Sequence, residues 1–203
     1  MNVIENTKVC GARLVLLGLA FSMMTTQLAF AKEDNASQCT NAAIERANNL
    51  FGVSEYGIAA SDLTTCIKHR NNLKAVVAWN SAIIHPSNNG LQILNTRNLM
   101  NDWEQDYGMT SVQDYDVVVV AYGVGARWAL SNVAYNQKFG TDNPSIDIVQ
   151  SLIERGAKIY MCQNSMKGNG WKVDDLIDGV HMVPAGVTAL VDFQYQGYTY
   201  IAP

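Results

Sequence analysis

The segment DYDVVVVAYG, residues 114–123, constrains the fold of this chain more than any other. Its four consecutive valines leave no alternation between apolar and polar positions, so a strand formed here must be buried on both faces. Branching at the β-carbon favours extended structure. Strands covered on both faces occur in parallel sheets between two helical layers, and the segment is therefore predicted to be a central strand of such a sheet.

Other apolar runs predict further strands, and helical spacing of apolar residues predicts the helices between them. The strands are predicted over residues 73–80, 114–123, 157–162, 180–186 and 198–203, the last as an edge strand, and the helices over residues 88–108, 144–156 and 185–197. Alternation of strands and helices at this spacing indicates βαβ units. Residues 73–203 are therefore predicted to form an α/β domain with a mostly parallel central sheet flanked by helices.

Residues 32–72 have a different composition, rich in Asn, Ala and Ser. Two short helices are predicted there, over residues 41–51 and 61–73, and the first would bury a face containing Ile44, Ala47 and Phe51. A segment of this size folds alone only with difficulty. It is predicted to be a helical N-terminal extension packed on the main domain.

The first 31 residues have the pattern of a signal peptide. Lys8 and Arg13 precede the apolar run LVLLGLAFSMM, and Ala29 and Ala31 follow at the −3 and −1 positions of an A-x-A cleavage site. The run is shorter than the roughly 20 residues that a membrane-spanning helix needs. Cleavage after Ala31 and a periplasmic location are expected, with no membrane attachment after cleavage; an uncleaved membrane anchor is the alternative.

Cleavage would remove Cys10 and leave Cys39, Cys66 and Cys162 in an oxidising compartment. An odd number of cysteines in an exported protein suggests one disulfide and one free thiol. Cys39 and Cys66 lie in the same segment, which favours their pairing and leaves Cys162 free. The two other pairings remain open, because sequence does not show which Cβ atoms face each other.

Composition argues against several classes of partner. With 14 basic and 18 acidic residues the formal charge is −4, and no cluster of Lys and Arg occurs that would favour nucleic acid or an anionic membrane. The three histidines have no metal-ligand spacing and there is no C-x-x-C motif, so neither a metal nor a cofactor is expected. The segment GVGAR, residues 123–127, lacks the third glycine of a dinucleotide-binding motif.

Cys162 ends the predicted strand over residues 157–162. Ligands of open α/β sheets bind beyond the carboxyl ends of the strands, so this cysteine is the candidate reactive residue. The thiolate is the reactive form, and a helix that starts at Asn164 or Ser165 would point backbone N–H groups at the sulfur, with Lys167 adding positive charge. The alternative is that Cys162 is a buried, unreactive cysteine, which is a common state for this residue type.

The ends of the other strands supply candidate ligand-binding residues at the same edge. Asn80, His85, Gly123, Arg127 and Asn164 are the predicted ligand-binding residues. The amides and Arg127 would hold the sulfur or an attached anion, and His85 could act as a base. Gly123 would let the backbone pass close to a ligand or to a neighbouring subunit.

The C-terminal sequence RGAKIYMCQNSMKGNGWKVDDLIDGVHMVPAGVTALVDFQYQGYTYIAP resembles the DsrE/DsrF-like family. The same order of elements recurs there: a strand after a glycine, a cysteine, a short helix, VPAGV and an aromatic ending. The earlier stretch LKAVVAWNSAI, with NTRNLMNDW and DVVVVAYGVG, resembles the family's first βαβ unit. The resemblance covers residues 73–203 and implies the DsrE/YchN-like α/β fold and a homo-oligomer, either a trimer or a hexamer.

The resemblance also implies a function. In the sulfur-relay members of the family, the cysteine that ends the equivalent strand carries sulfur as a persulfide between partner proteins, a role that would fall on Cys162. The expectation is an exported protein that relays sulfur by persulfide or thiol exchange with a partner protein, as a carrier more than as a turnover enzyme. The alternative is a non-catalytic small-ligand-binding or assembly module in which Cys162 is silent.

Overall fold

The computed structural model describes residues 39–203. The predicted signal peptide and residues 32–38 of the extension lie outside this range. The helices are α1 (Asn41–Phe51), α2 (Leu91–Asn101), α3 (Asn132–Phe139), α4 (Ile146–Glu154), α5 (Gln163–Asn169) and α6 (Gly186–Tyr195), and the strands are β1 (Leu73–Trp79), β2 (Tyr115–Ala121), β3 (Lys158–Cys162), β4 (His181–Val183) and β5 (Thr199–Ile201). In the described part of the chain, no helix has the length and apolarity needed to cross a membrane.

The five strands form one sheet in the order β4-β3-β2-β1-β5, and all four pairings are parallel. The valine run lies in β2, at the centre, where each of the four valines is at most 1% exposed. The predicted α/β fold with a flanked, mostly parallel sheet is therefore confirmed, and the C-terminal strand lies at an edge as expected.

Alternate side chains of β2 supply the cores on the two faces of the sheet. Val117 and Val119 pack in the larger core, with α2 and α4, whereas Val118 and Val120 pack in the smaller one against Leu190 of α6. After β3 the chain continues into α5, which lies on the face of the larger core. After β4 it continues into α6, which lies on the opposite face. Adjacent strands that lead to opposite faces leave a crevice at their carboxyl ends.

The prediction of a helix over residues 61–73 is wrong. A short 3₁₀ turn covers Ala60–Leu63, and the chain is then irregular until β1 begins. The disulfide at Cys66 holds this segment against Cys39, and Asn72 adopts a positive φ of 54°, which ends any helix before the strand. The helix predicted over residues 88–108 is shorter in the structure, where α2 covers Leu91–Asn101 and is followed by a π-helical turn, Asp102–Asp106.

The N-terminal extension is attached to the α/β domain through α1. This helix buries Ala43 and Ala47, whereas Phe51, predicted on the buried face, is 77% exposed. Arg46 forms ion pairs with Asp102 at 2.6 Å and with Asp106 at 2.5 Å, both in the turn that follows α2.

The extension is also cross-linked internally. Cys39 and Cys66 form the disulfide that the cysteine count favoured, with 5.2 Å between their Cα atoms. Closing a loop of 27 residues stabilises the folded state by about 3.5 kcal/mol in the chain-entropy model. A segment without a large core of its own is thereby kept folded on the domain.

Candidate functional site

Cys162 is the last residue of β3 and has a free thiol that is 5% exposed. Helix α5 starts at the next residue, one position before the predicted start. Its strand partner at the end of β4 is Val183, so the sulfur lies in the crevice between β3 and β4. The predicted position at the carboxyl edge of the sheet is therefore correct, and the side chain is largely covered.

The Gly186 N–H donates a hydrogen bond to the sulfur, and groups of Asn164 and Ser165 also lower the pKa of the thiol. Burial alone would raise the pKa of the Cys162 thiol, but hydrogen bonds from the backbone N–H and hydroxyl of Ser165 and from the N–H groups of Gly186 and Asn164 lower it, and the net pKa lies below its ordinary value. The Gly186 N–H lies 3.1 Å from Sγ. Lys167, predicted to add positive charge, is not among the groups that lower the pKa.

Gly186 brings the start of α6 to the sulfur because it has no side chain. A Cβ at this position would lie 2.8 Å from the Tyr122 Cβ and 3.3 Å from the Cys162 Cβ. Any larger residue would force the first turn of α6 away from the thiol. The glycine therefore sets the distance between the helix and the sulfur.

Ser165 connects the thiol with the end of β2. Its hydroxyl contributes to the lowered pKa of the Cys162 thiol and accepts a hydrogen bond of 2.9 Å from the N–H of Gly123. Gly123 has a positive φ of 57°, and it begins the 3₁₀ segment Gly123–Ala129. Gly123, one of the predicted ligand-binding residues, is thus connected to the neighbourhood of the sulfur through Ser165.

A cavity of about 380 Å³ lies on the other side of Ser165. Its walls include Gly123, Arg127, Lys138, Phe139, Ser165 and Trp171. Cys162 is not part of this wall, and Ser165 is common to the cavity and the thiol's hydrogen bonds. The predicted ligand-binding residue Arg127 therefore borders a real cavity next to the candidate cysteine.

Asn80 lies at the same edge of the sheet, where both ends of its side-chain amide form hydrogen bonds. Its Nδ2 donates to the Tyr122 hydroxyl at 3.0 Å, and its Oδ1 accepts from Gln92 at 2.9 Å. Tyr122 in turn lies against Gly186. Asn80 is thereby placed to orient Tyr122, one residue away from the groups that contact the sulfur.

His85 is not brought to the thiol. It lies in an exposed loop, where its Nδ1 lies 2.9 Å from the Ser87 Oγ and accepts from the Ser87 N–H at 3.1 Å. The cavity beside it is lined by residues of that loop and of α2, including Arg97, and contains none of the groups that bind Sγ. Among residues 39–203 no cluster of His, Cys, Asp or Glu could hold a metal ion.

Sequence reasoning missed Gly186 as part of the site, and it placed Tyr122 at this edge of the sheet without assigning it a role. Gly186 is 24 residues from Cys162 along the chain, and only the parallel pairing of β3 and β4 brings them together. The one local signal is the position of the glycine in VPAGV, at the end of the predicted strand and in the first turn of the predicted helix. A backbone N–H at such a position is free to bind an anion.

Comparisons with known proteins agree with this fold. The sequence model of the DsrE/DsrF-like family matches residues 74–203. Among solved structures, MTH1491 from Methanobacterium thermoautotrophicum, a protein of unknown function, is similar at 28% identity with a TM-score of 0.50, over 65% of this chain and all of that one. YchN from E. coli is 17% identical with a TM-score of 0.41, over 64% of this chain and 97% of that one. No match was found among curated proteins. Because the family match spans nearly the whole α/β domain, this chain belongs to the DsrE/DsrF-like family.

Proposed function

We propose that this chain is an exported sulfur carrier that holds sulfur as a persulfide on Cys162. The observation that carries the proposal is a free thiol at the carboxyl edge of the sheet that accepts a hydrogen bond from the Gly186 N–H and whose pKa is lowered by its neighbours. A lowered pKa increases the fraction of thiolate at neutral pH, and the thiolate is the nucleophile in sulfur exchange. Membership in a family with sulfur-relay members supports the same role.

The exchange requires no oxidant or metal. The Cys162 thiolate attacks the terminal sulfur of a persulfide R–S–SH, a new S–S bond forms, and the old one breaks, so that R–S⁻ leaves with the electron pair. The proton remains on the transferred sulfur. The donors from Ser165, Gly186 and Asn164 that stabilise the thiolate are placed to stabilise a persulfide anion as well. Delivery to an acceptor thiolate is the reverse reaction, as expected of a carrier.

The burial of the thiol favours the second candidate, a binding or assembly module with a silent cysteine. At 5% exposure, Sγ can be reached only by a narrow group, or after the start of α6 moves away. The same burial protects a bound persulfide from water and from stray thiols, so burial alone does not decide between the two functions. The reactivity of the Cys162 thiol distinguishes the two functions.

Intact-mass measurement of the purified protein after incubation with a small persulfide donor tests the proposal. We expect a gain of one sulfur atom, about 32 Da, in the wild type and none in Cys162→Ser. The gain must be reversed by a reducing thiol. An unmodified wild-type protein that also resists iodoacetamide in its native state would instead support the silent module.

Export is part of the proposal, and the intact-mass measurement also tests it. The Cys39–Cys66 disulfide supports an oxidising compartment. A periplasmic chain that begins at Lys32 is expected, with the mass of one intact disulfide. A chain that retains residues 1–31 in the cytoplasmic fraction would refute export and leave the chemistry of Cys162 untouched.

We also propose that the chain forms a homo-oligomer, a trimer or a hexamer, as the family resemblance implies. An apolar stripe on α6 supports this: Val187, Val191 and Tyr195 follow one another at helical spacing and are 63%, 48% and 89% exposed. Water-exposed apolar rows of this kind are typical of contact surfaces.

Val191→Asp is expected to dissociate the oligomer, because it would place a charge inside an apolar contact without a partner. Light scattering coupled to gel filtration measures the result, and Thr188→Asp, an exposed position on the same helix, is the matched control. An oligomer that both variants leave intact would place the contact elsewhere, and a monomeric wild type would refute the proposal.

A further inference from the structure

We propose that the cavity between the 3₁₀ segment Gly123–Ala129, the end of α3 and α5 binds a small organic anion. It would pair a carboxylate-like headgroup with Arg127 and Lys138 and place an apolar body against Phe139 and Trp171. The inference goes beyond the sulfur chemistry proposed for Cys162, because no step of that chemistry depends on it.

Charge is the first argument. Arg127 and Lys138 both line the cavity, and no Asp or Glu does. The ion pairs of residues 39–203 involve other basic residues, so neither of these two side chains is neutralised by a carboxylate. Two cations at one concave site attract an anion more strongly than the same charges on an open surface.

The position of the Arg127 guanidinium is fixed by packing. Its carbon lies 4.3 Å from the centre of the Phe139 ring and 6.0 Å from the centre of the Trp128 ring. Its Nε is buried and, among the described residues, has no hydrogen-bond partner. Since Nε is not accessible, an anion in the cavity would contact the terminal guanidinium nitrogens, whose planar arrangement suits a carboxylate.

Size and lining favour an organic ligand over an inorganic ion. The volume of about 380 Å³ falls within the range of roughly 300–1,000 Å³ typical of small-molecule sites. Phe139, Trp171 and Val124 provide apolar walls, whereas Ser165 and Asn169 provide polar groups that can orient a ligand. A lone sulfate would meet the cations but leave the apolar walls empty.

The experiment uses 4-fluorobenzoate as the probe, with binding followed by fluorine NMR line broadening, and 4-fluorobenzamide as its neutral counterpart. Saturable binding of the benzoate is expected, with at least tenfold weaker binding of the amide. Arg127→Gln should weaken benzoate binding at least tenfold and Lys138→Gln about threefold. Lys167→Gln, which removes the same charge from an exposed position outside the cavity, should change it less than twofold.

Several outcomes would overturn the proposal. One is equal binding of benzoate and amide, and another is a dissociation constant that neither Arg127→Gln nor Lys138→Gln changes. Lys138 is exposed, so its variant stays informative even if Arg127→Gln fails to fold. If sodium sulfate displaces benzoate at equal concentration, the site takes inorganic oxyanions and the organic assignment fails. Cys162→Ser should bind the probe as the wild type does, which separates this result from that of the sulfur chemistry.

Discussion

Replacing Gly125 with alanine is expected to lower the free energy of unfolding by about 3 kcal/mol, the upper end of the usual cost of overpacking. A Cβ at this position would lie 2.5 Å from the carbonyl carbon and oxygen of Trp79 and 2.6 Å from the backbone nitrogen of Asn80. All three are backbone atoms at the end of β1, which pairs with strands on both sides. The backbone of Trp79 and Asn80 cannot move away from the new Cβ without disturbing the sheet.

Gly168→Ala is the matched control for this variant. No atom lies within 4 Å of the position where its Cβ would be, and Gly168 lies inside α5. Alanine should therefore stabilise the protein by about 0.5–1 kcal/mol, because it favours the helix more than glycine does. Urea unfolding measures both variants. A Gly125→Ala protein within 0.5 kcal/mol of the wild type would show that the Gly123–Ala129 segment does not pack tightly on β1.

The sheet could be predicted because its signal is local. The valine run in β2 is buried on both faces, and that alone requires neighbouring strands and two helical layers. Helix α3 was missed because Asn132–Phe139 has no apolar stripe. Its ends are specified by other signals, a Ser131 hydroxyl that caps the first turn and Gly140 in the left-handed conformation.

The candidate site could be predicted only in part, since some of its groups are neighbours in the chain and others are not. Asn164 and Ser165 are two and three residues after Cys162, so a helix starting there brings their N–H groups near the sulfur. Gly186 reaches it through the order of strands, which no local pattern specifies, and Tyr122 lies against Gly186 for the same reason. Burial of the thiol was the alternative that the residue type itself suggested, whereas the groups that cover it depend on the order of strands.

Ser165→Ala is expected to slow the reaction of Cys162 with iodoacetamide about tenfold at pH 7. The variant removes the hydroxyl that helps to lower the pKa of the thiol and keeps the backbone N–H. A hydrogen bond to a charged group contributes about 1.5–3 kcal/mol, and 1.4 kcal/mol corresponds to a factor of ten in the thiolate fraction. Without this donor the pKa of the thiol rises, and less thiolate is present at neutral pH.

The pH dependence of the rate separates this electrostatic effect from a steric one. The thiolate is the reactive form, so the rate of each protein rises with pH and reaches a plateau above its own thiol pKa. The profile of Ser165→Ala should shift to higher pH and join that of the wild type at its plateau. Asn164→Ala, which keeps its N–H and changes only an exposed side chain, should follow the wild type within twofold. If Ser165→Ala keeps the wild-type midpoint and lowers the plateau, the hydroxyl governs access to the sulfur and does not stabilise its charge, and the electrostatic basis of the carrier proposal is lost.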